Sequence, residues 1–238
     1  MKIDLEEAIA ALNDARHDDI DEAVANALYR VGLAFLQRER YEEAFEALDE
    51  ASYLCNKLDN RAGGAHVGLA LAQVAQARGR AEEAVTLGRQ ALAVFDEGQD
   101  DSGRVKALET LSQALYSLDR MDEAVQAMET ALGLTEKAED KVGQVLFQQY
   151  LAPLYRSLER QEDALAAYRA MGRLAHEMGD HQRTALAAVG VGTMLAALER
   201  REEALQAFEQ ARGIFESLGQ MQRASQVEAE MARLLTAD

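Results

Sequence analysis

Apolar residues recur along this chain at steps of three and four, the spacing that places side chains on one side of an α-helix. One such run lies in residues 28–35 and a second in residues 44–51, with polar and charged residues filling the positions between. Each run is long enough for several helical turns. The pattern predicts two amphipathic helices in succession, each with one side turned to a core.

The same pair of runs returns every 40 residues. A short motif marks each return: an arginine, a variable residue, two acidic residues and an alanine, which is Ala44, Ala84, Ala124, Ala164 or Ala204. A fixed period of this size is typical of solenoids, in which each repeat buries its apolar side only against its neighbours. We therefore predict an all-α solenoid of antiparallel helix pairs, with about 12 helices.

The repeats leave no internal boundary, so we predict one domain over residues 1–238. Residues 1–19 form an N-terminal capping helix, residues 20–220 form five helix pairs, and residues 221–238 form a C-terminal capping helix. Within the end helices we expect the following residues to face inward: Ala8 and Ala11, then Val227, Met231 and Leu235.

Polar residues between the runs predict where helices begin. Asn60, Asp100, Asp140 and Asp180 precede the first helix of successive pairs, where a short side chain can accept hydrogen bonds from free backbone N–H groups, whereas Gln220 breaks this pattern. The paired acids fall in the first turn of each second helix, where the helix dipole favours carboxylates. Two tight turns in each period leave helices of about 17 residues. The recurring arginine is predicted to bond turn carbonyls or neighbouring carboxylates.

Composition supports the helical prediction and excludes several classes of partner. Hydrophobic residues make up 48% of the chain, yet aromatics only 5%, and there is one proline, so alanine and leucine carry the apolar content. A net charge of −17 disfavours nucleic acid and anionic membranes. The lone Cys55, with no leader and no apolar stretch near 20 residues, predicts a cytoplasmic protein without membrane insertion.

One position in each first helix always carries a small residue. It is occupied by Gly32, Ala72, Ser112, Ala152 and Gly192, and an alanine recurs in each second helix. This pattern resembles the tetratricopeptide repeat. The 40-residue period is similar to the long-helix branch found in kinesin light chains, polarity adaptors and bacterial regulators that bind signalling peptides. The resemblance implies a right-handed superhelix whose first helices line a concave face.

The resemblance also implies where a ligand would bind, because polar residues on the open side of the first helices would line the groove. These candidates are Asn26, Tyr29, Arg30, Gln37, His66, Gln73, Gln76, Lys106, Glu109, Thr110, Gln113, Tyr116, Gln149, Tyr150, Arg156 and Thr193. Tyrosine and glutamine predominate, which suits a peptide backbone and side chains. The alternative is that they are ordinary solvated positions without a ligand.

The charge on this predicted face differs from that of the whole chain. Arg30, Lys106 and Arg156 are opposed there only by Glu109. The face should therefore be neutral or weakly positive. We expect a protein or peptide partner with an acidic or neutral docking segment.

Two residues interrupt the helical pattern. Pro153 lies inside a first helix, where it costs roughly 3 kcal/mol and leaves the carbonyl of Gln149 without its helix donor, either for a ligand or for water. Gly190 lies outside the small-residue register and either admits a ligand backbone or is merely tolerated, whereas Gly192 matches that register and is predicted to allow close packing.

No catalytic constellation is visible, and we predict no enzyme activity, no cofactor and no metal. His176, Asp180 and His181 could bind a metal weakly but are better explained as a solvated cluster, and Cys55 is predicted to be a core residue. The sequence thus predicts a non-enzymatic interaction module, such as an adaptor, scaffold or assembly chaperone. The alternatives are a self-assembling structural scaffold and a sensor of a small signalling peptide.

Overall fold

A computed structural model describes residues 3–236, and every regular element within that range is an α-helix. In chain order the helices are α1 (Leu5–His17), α2 (Asp21–Leu36), α3 (Tyr41–Lys57), α4 (Arg61–Ala77), α5 (Ala81–Glu97), α6 (Asp101–Ser117), α7 (Met121–Lys137), α8 (Lys141–Ser157), α9 (Gln161–Glu177), α10 (His181–Ala197), α11 (Arg201–Ser217) and α12 (Met221–Thr236). The predicted all-α repeat solenoid is confirmed, and most helices have the expected 17 residues.

The helices form two compact parts, an N-terminal part up to Ala127 and a C-terminal part from Met128. In the N-terminal part, consecutive helices from α1 through α6 pack against one another, and α4 also lies against α2 and α6. In the C-terminal part, consecutive helices from α8 through α12 pack against one another. The single domain over residues 1–238 stays a prediction.

Small residues allow the two helices of a pair to approach closely. A Cβ atom at Gly32 would lie 2.5 Å from Cγ of Leu48, and one at Gly192 would lie 2.7 Å from Cδ1 of Phe208, so neither position has room for a side chain. At the same position of α6, the buried hydroxyl of Ser112 donates to the Ala124 carbonyl at 2.8 Å. The predicted close packing at Gly192 is confirmed.

The predicted N-caps are also confirmed. Asn60, Asp100 and Asp140 each accept a hydrogen bond from the backbone N–H three residues later in the chain, at 2.8, 2.9 and 3.1 Å. Asp180 accepts in the same way from Arg183 at 2.9 Å. These bonds satisfy donors that have no partner inside the helix.

The recurring arginine ahead of each second helix bonds a carboxylate, one of the two predicted alternatives. Arg120 reaches Glu123 at 2.6 Å, and the equivalent arginines pair with the acid three residues on. All of these pairs are substantially solvent-exposed, so each contributes little to stability.

The turns share a feature that the sequence analysis missed. A residue with positive φ recurs every 20 residues, from Asp19 (54°) to Gly219 (71°), and only three of these residues are glycines. The residue after it donates to the carbonyl five positions back, as from Asp140 to Thr135 at 2.9 Å. This arrangement is the Schellman motif, which ends one helix and starts the next within three residues.

Three residues of the end helices, Ala11, Met231 and Leu235, are less buried than predicted. Ala8 and Val227 are buried as expected, but Ala11 is only half-buried, because it lies at the edge of the stripe that Ala8 shares with other residues of α1. Leu235 is 59% exposed, so the prediction that it faces inward was wrong. The equivalent Leu195 is buried with α11 following it, whereas no helix follows α12 within the described residues.

Met231, the remaining residue predicted to face inward, is half-buried. Within residues 3–236, no helix has both the length and the apolar content required to cross a bilayer.

Candidate functional site

In the N-terminal part, the first helices α2, α4 and α6 are neighbours, and they carry most of the predicted binding residues. We call the following set the first-helix face: Asn26, Tyr29, Arg30, His66, Gln73, Gln76, Lys106, Gln113 and Tyr116. The side-chain amide of Gln76 donates to the Ser117 hydroxyl across α4 and α6 at 3.4 Å. The three helices therefore place residues that are distant in sequence on adjoining strips of surface.

Helix α2 contributes one anchored aromatic ring and two exposed polar groups. Tyr29 is half-buried against the core, and burial raises the pKa of its hydroxyl, so it stays protonated over a wide pH range. Asn26 and Arg30 are exposed, and the Arg30 guanidinium lies 3.4 Å from the Glu7 carboxylate of α1. The amide oxygen of Gln37 accepts from the backbone of Ile3 at 2.9 Å. Arg30 is thus partly neutralised by its own chain.

Helix α4 contributes a histidine in a low-polarity setting. The ring of His66 is half-buried and packs against Phe95 with centroids 4.9 Å apart. Burial and then the charge of Lys106 lower the pKa of His66, while Asp100 opposes them. His66 and Lys106 therefore interact electrostatically across α4 and α6. Gln73, on the same side of α4, is exposed.

Helix α6 contributes the most exposed aromatic side chain of this face, Tyr116, which is 54% exposed. Lys106 is exposed, Gln113 is half-buried, and burial raises the pKa of the half-buried Glu109. Thr110 was predicted to lie on this surface, and that prediction was wrong. It is buried, and its hydroxyl donates to the carbonyl of Lys106 at 3.0 Å within the helix.

The four remaining candidates lie in the C-terminal part. Gln149, Tyr150 and Arg156 are exposed on α8, and Thr193 is exposed on α10, where its hydroxyl donates to the Val189 carbonyl at 2.9 Å. Among the described residues, no hydrogen bond or ion pair joins these four side chains. Their common role stays a prediction.

The proline in α8 is accommodated inside a continuous helix. Lys141–Ser157 is helical throughout, with Pro153 half-buried, and the Ser157 hydroxyl donates to the Pro153 carbonyl at 3.0 Å. Since proline has no N–H, the Gln149 carbonyl has no helix donor four residues on.

The close approach at Gly190 is made by the chain itself. Gly190 is buried, and a Cβ atom there would overlap the ring of Tyr168 on α9. This glycine therefore makes room for Tyr168, which argues against the alternative that it admits a ligand backbone.

The groups considered for chemistry have structural surroundings. Cys55 is 4% exposed in the core, and burial raises the pKa of its thiol, which keeps it in the unreactive form. Asp180 caps α10 and pairs with Arg183 at 2.6 Å, while His176 and His181 are exposed. Among the described residues there is no group of three or more His, Cys, Asp or Glu side chains arranged to hold a metal ion.

One surface feature escaped the sequence analysis. A cleft of about 390 Å³ opens between α9, α10 and α11, with an alanine-rich floor and basic residues at its edge. It lies between three helices, so no single helical run shows it. A comparison of residues in the same register of different repeats could have indicated it, because Gly172 stands where two other repeats have Leu92 and Leu132.

Comparison with known proteins connects this architecture to a family. Two family models match the chain, each described as a tetratricopeptide repeat, over residues 23–97 and 105–137. No curated protein matches the chain.

Several solved structures have a similar fold. The nearly identical TPR-like repeats of a protein described as a kinesin light chain from Podosopora anserina are 19% identical, with a TM-score of 0.70, over 81% of this chain and 95% of that chain. BtubC (BKLC) from P. vanneervenii is 16% identical, with a TM-score of 0.72, over 96% and 91%. A Rap protein complexed with Competence and Sporulation Factor is 16% identical, with a TM-score of 0.63, over 97% and 70%.

Proposed function

The chain is a protein of tetratricopeptide-like repeats, and from this premise we propose that it is a non-enzymatic interaction module, an adaptor, scaffold or assembly chaperone. Its first-helix face binds a peptide or a helical segment of a partner protein. Gln149, Tyr150, Arg156 and Thr193 play the same part in the C-terminal part of the chain.

The observation that carries this proposal is the strip of amphipathic side chains across three adjoining helices. Tyr29 and His66 are fixed by packing, and Tyr116 and Gln73 project into solvent beside them. Fixed aromatic rings contribute contact area with little loss of side-chain entropy, while glutamine both donates to and accepts from a peptide backbone.

Charge supports an acidic or neutral docking segment. Lys106 makes no ion pair among the described residues, and Glu109 is the one acidic residue among the predicted binding positions. On a chain with a net charge of −17, such a face attracts negative groups more than the surrounding surface does. A Rap protein of similar fold is complexed with Competence and Sporulation Factor, which supports a bound partner for this chain without indicating its charge.

The test compares two double variants that change the same residue types on opposite kinds of helix. Gln73→Ala with Tyr116→Ala alters the first-helix face, and Tyr53→Ala with Gln90→Ala alters exposed residues of the second helices α3 and α5. Each protein is used to capture partners from native lysate, and the segment bound by the wild type is mapped and synthesised. We expect the face variant to bind that peptide about tenfold or more weakly, and the control to bind it normally.

Equal binding by both variants would place the site elsewhere. Circular dichroism of each variant excludes unfolding as the cause of a loss. Light scattering of the wild type over a range of concentrations tests self-assembly. The described part of α12 gives little support for self-assembly, because Ser225 and Glu228 separate its exposed apolar residues.

A further inference from the structure

The cleft between α9, α10 and α11 has the features of a binding site for a small anion. Its floor is formed by Gly172, Ala187 and Ala188, with Val191 and Ala207 beside them. Its edge carries the basic side chains of Arg169, Arg173 and His176, all from α9 and all exposed.

The cleft is open because small residues replace larger ones at this place in the solenoid. Gly172 stands where two other repeats have Leu92 and Leu132, although Ser52 and Arg212 occupy that register in the other two. Ala207 stands where one repeat has Leu87 and the others have alanine. In the N-terminal part, the groove between α3, α4 and α5 includes Leu87 in its lining and has a volume of about 210 Å³, against about 390 Å³ here. Leu71 and Leu87 of that groove correspond to the smaller Val191 and Ala207 of the cleft, which accounts for part of the added space.

The basic edge reverses the charge found at the same positions elsewhere. His176 stands in the register of Asp96, Glu136 and Glu216, and Arg169 in that of three acids and Arg89. Arg89 is held by Glu123 at 3.0 Å. Three basic residues on one short stretch of helix are notable in a chain with a net charge of −17.

Nearby acids leave these charges largely available. The closest contact of Arg169 with an acid is Glu203, at 3.9 Å, and Arg173 makes no hydrogen bond or ion pair within the described part of the chain. Glu177 follows His176, but it is bonded to Lys141 at 2.8 Å. An anion in the cleft would therefore displace no strong ion pair.

We propose that this cleft binds a small organic anion, whose apolar body lies on the alanine floor and whose carboxylate, sulfonate or phosphate group is bound by Arg169 and Arg173. A volume of about 390 Å³ suits a small ligand. Guanidinium groups pair with such anions through two parallel hydrogen bonds.

This site is separate from Thr193, the predicted binding residue of the same helix. Thr193 and Val191 lie about 160° apart around α10, at 100° per residue, so the cleft and the predicted groove residues are on different sides of that helix. Failure of one proposal leaves the other standing.

The test uses a pair of fluorescent probes that differ in charge. 8-Anilinonaphthalene-1-sulfonate has an aromatic body and a sulfonate, and N-phenyl-1-naphthylamine has the same body without the charge. We expect saturable binding of one sulfonate probe per chain. Arg169→Gln with Arg173→Gln should lower the affinity for the sulfonate probe about tenfold or more. The affinity for the neutral probe should stay within about twofold of the wild-type value. Arg233→Gln removes the same charge per residue from an exposed position of α12. It should change the affinity for neither probe.

A second variant tests the cavity itself. Ala188→Leu introduces the residue found at this register as Leu28 and Leu108, and should weaken both probes by filling the floor. Backbone amide shifts on titration should concentrate at Gly172 and Ala187. Unchanged sulfonate affinity in the double arginine variant, absence of saturable binding, or shifts centred on another surface would each overturn the proposal, and the arginine variant decides it even if Ala188→Leu does not fold.

Discussion

A side chain no larger than serine or alanine is required at one position of each first helix, because a second helix crosses there at close range. Gly32 and Gly192 leave no room for a Cβ atom, and Ser112 fits only because its hydroxyl donates to the Ala124 carbonyl. This requirement could be predicted from the sequence, since every repeat meets it in the same register. Gly190 could not be explained in that way, since its partner Tyr168 is specific to one repeat.

Tyr155 shows a second limit of prediction from a single helical run. Its apolar register indicates a core position, and it is indeed buried. Its hydroxyl, however, donates to Glu129 on α7 at 2.7 Å, and the Arg160 guanidinium lies 4.5 Å from its ring centroid. Burial above all, and then the bond to Glu129, raise the pKa of Tyr155 well above its usual range.

This raised pKa predicts a pH-dependent contribution to stability. The folded protein holds the Tyr155 proton more tightly than the unfolded chain, so the contribution is complete below about pH 10 and is lost as the pH rises above it. Tyr155→Phe should lower the free energy of unfolding by about 1 kcal/mol at pH 8, and by less at pH 11. Urea unfolding followed by circular dichroism measures both values.

The control is Tyr53→Phe, which removes a hydroxyl from a ring that is 68% exposed and should have little effect at either pH. A difference between wild type and Tyr155→Phe that stays constant from pH 8 to pH 11 would contradict the assignment.

At the scale of the helix, the turns set the register of the solenoid. Each turn contains a residue in the left-handed backbone conformation, and at eight of the described turns that residue is not glycine. A non-glycine residue in this conformation is strained by its Cβ atom, at a cost of about 1 kcal/mol. Sequence reasoning missed the motif because acidic residues and glutamine occupy most of these positions, rather than the glycine that usually marks such a turn.

Glycine at one of these turns should therefore stabilise the protein. Glu139 has a φ of 55°, and Glu139→Gly should be more stable than Glu139→Ala by about 1 kcal/mol, since both remove the same charge and only alanine keeps the Cβ atom. Chemical denaturation of the two variants side by side gives the difference. Equal stability would mean that the turn relaxes around the side chain, and that the strain is negligible.

The helix bounds followed from the sequence because a strict period repeats the same signals five times. The errors lie where the period stops or where three helices meet. Leu235 has the register of a buried residue, but no helix follows to cover it within the described residues. The cleft beside Gly172 depends on residues from α9, α10 and α11 together, so only the folded chain shows its shape.

At the scale of the whole molecule, ion pairs join the two helices within a repeat. Lys57 meets Asp21, Arg61 meets Glu97, and Lys141 meets Glu177, in each case 36 residues apart in sequence. These side chains are largely exposed, so each pair contributes little to stability. The stability of the solenoid must therefore come mainly from the apolar contact between successive helices.

That conclusion predicts a local response to removal of the last helix. Ala224 and Val227 of α12 are buried, and the Arg223 guanidinium lies 5.7 Å from the ring centroid of Phe215 on α11. Deletion of residues 221–238 uncovers this part of α11, and we expect its opening free energy to fall by about 2–4 kcal/mol. Hydrogen exchange read by mass spectrometry should show faster exchange in α10 and α11, and unchanged exchange in α2 to α6.

The full-length variant Leu235→Gln provides the control, because this exposed side chain should contribute little to α11. The pattern of exchange also tests the prediction of one domain. In a solenoid, each repeat is stabilised by its own contacts and by those with its neighbours, so the effect of losing α12 should fade along the chain. A uniform acceleration from α2 to α11 would contradict this local response, and would mean that the chain unfolds as one cooperative unit.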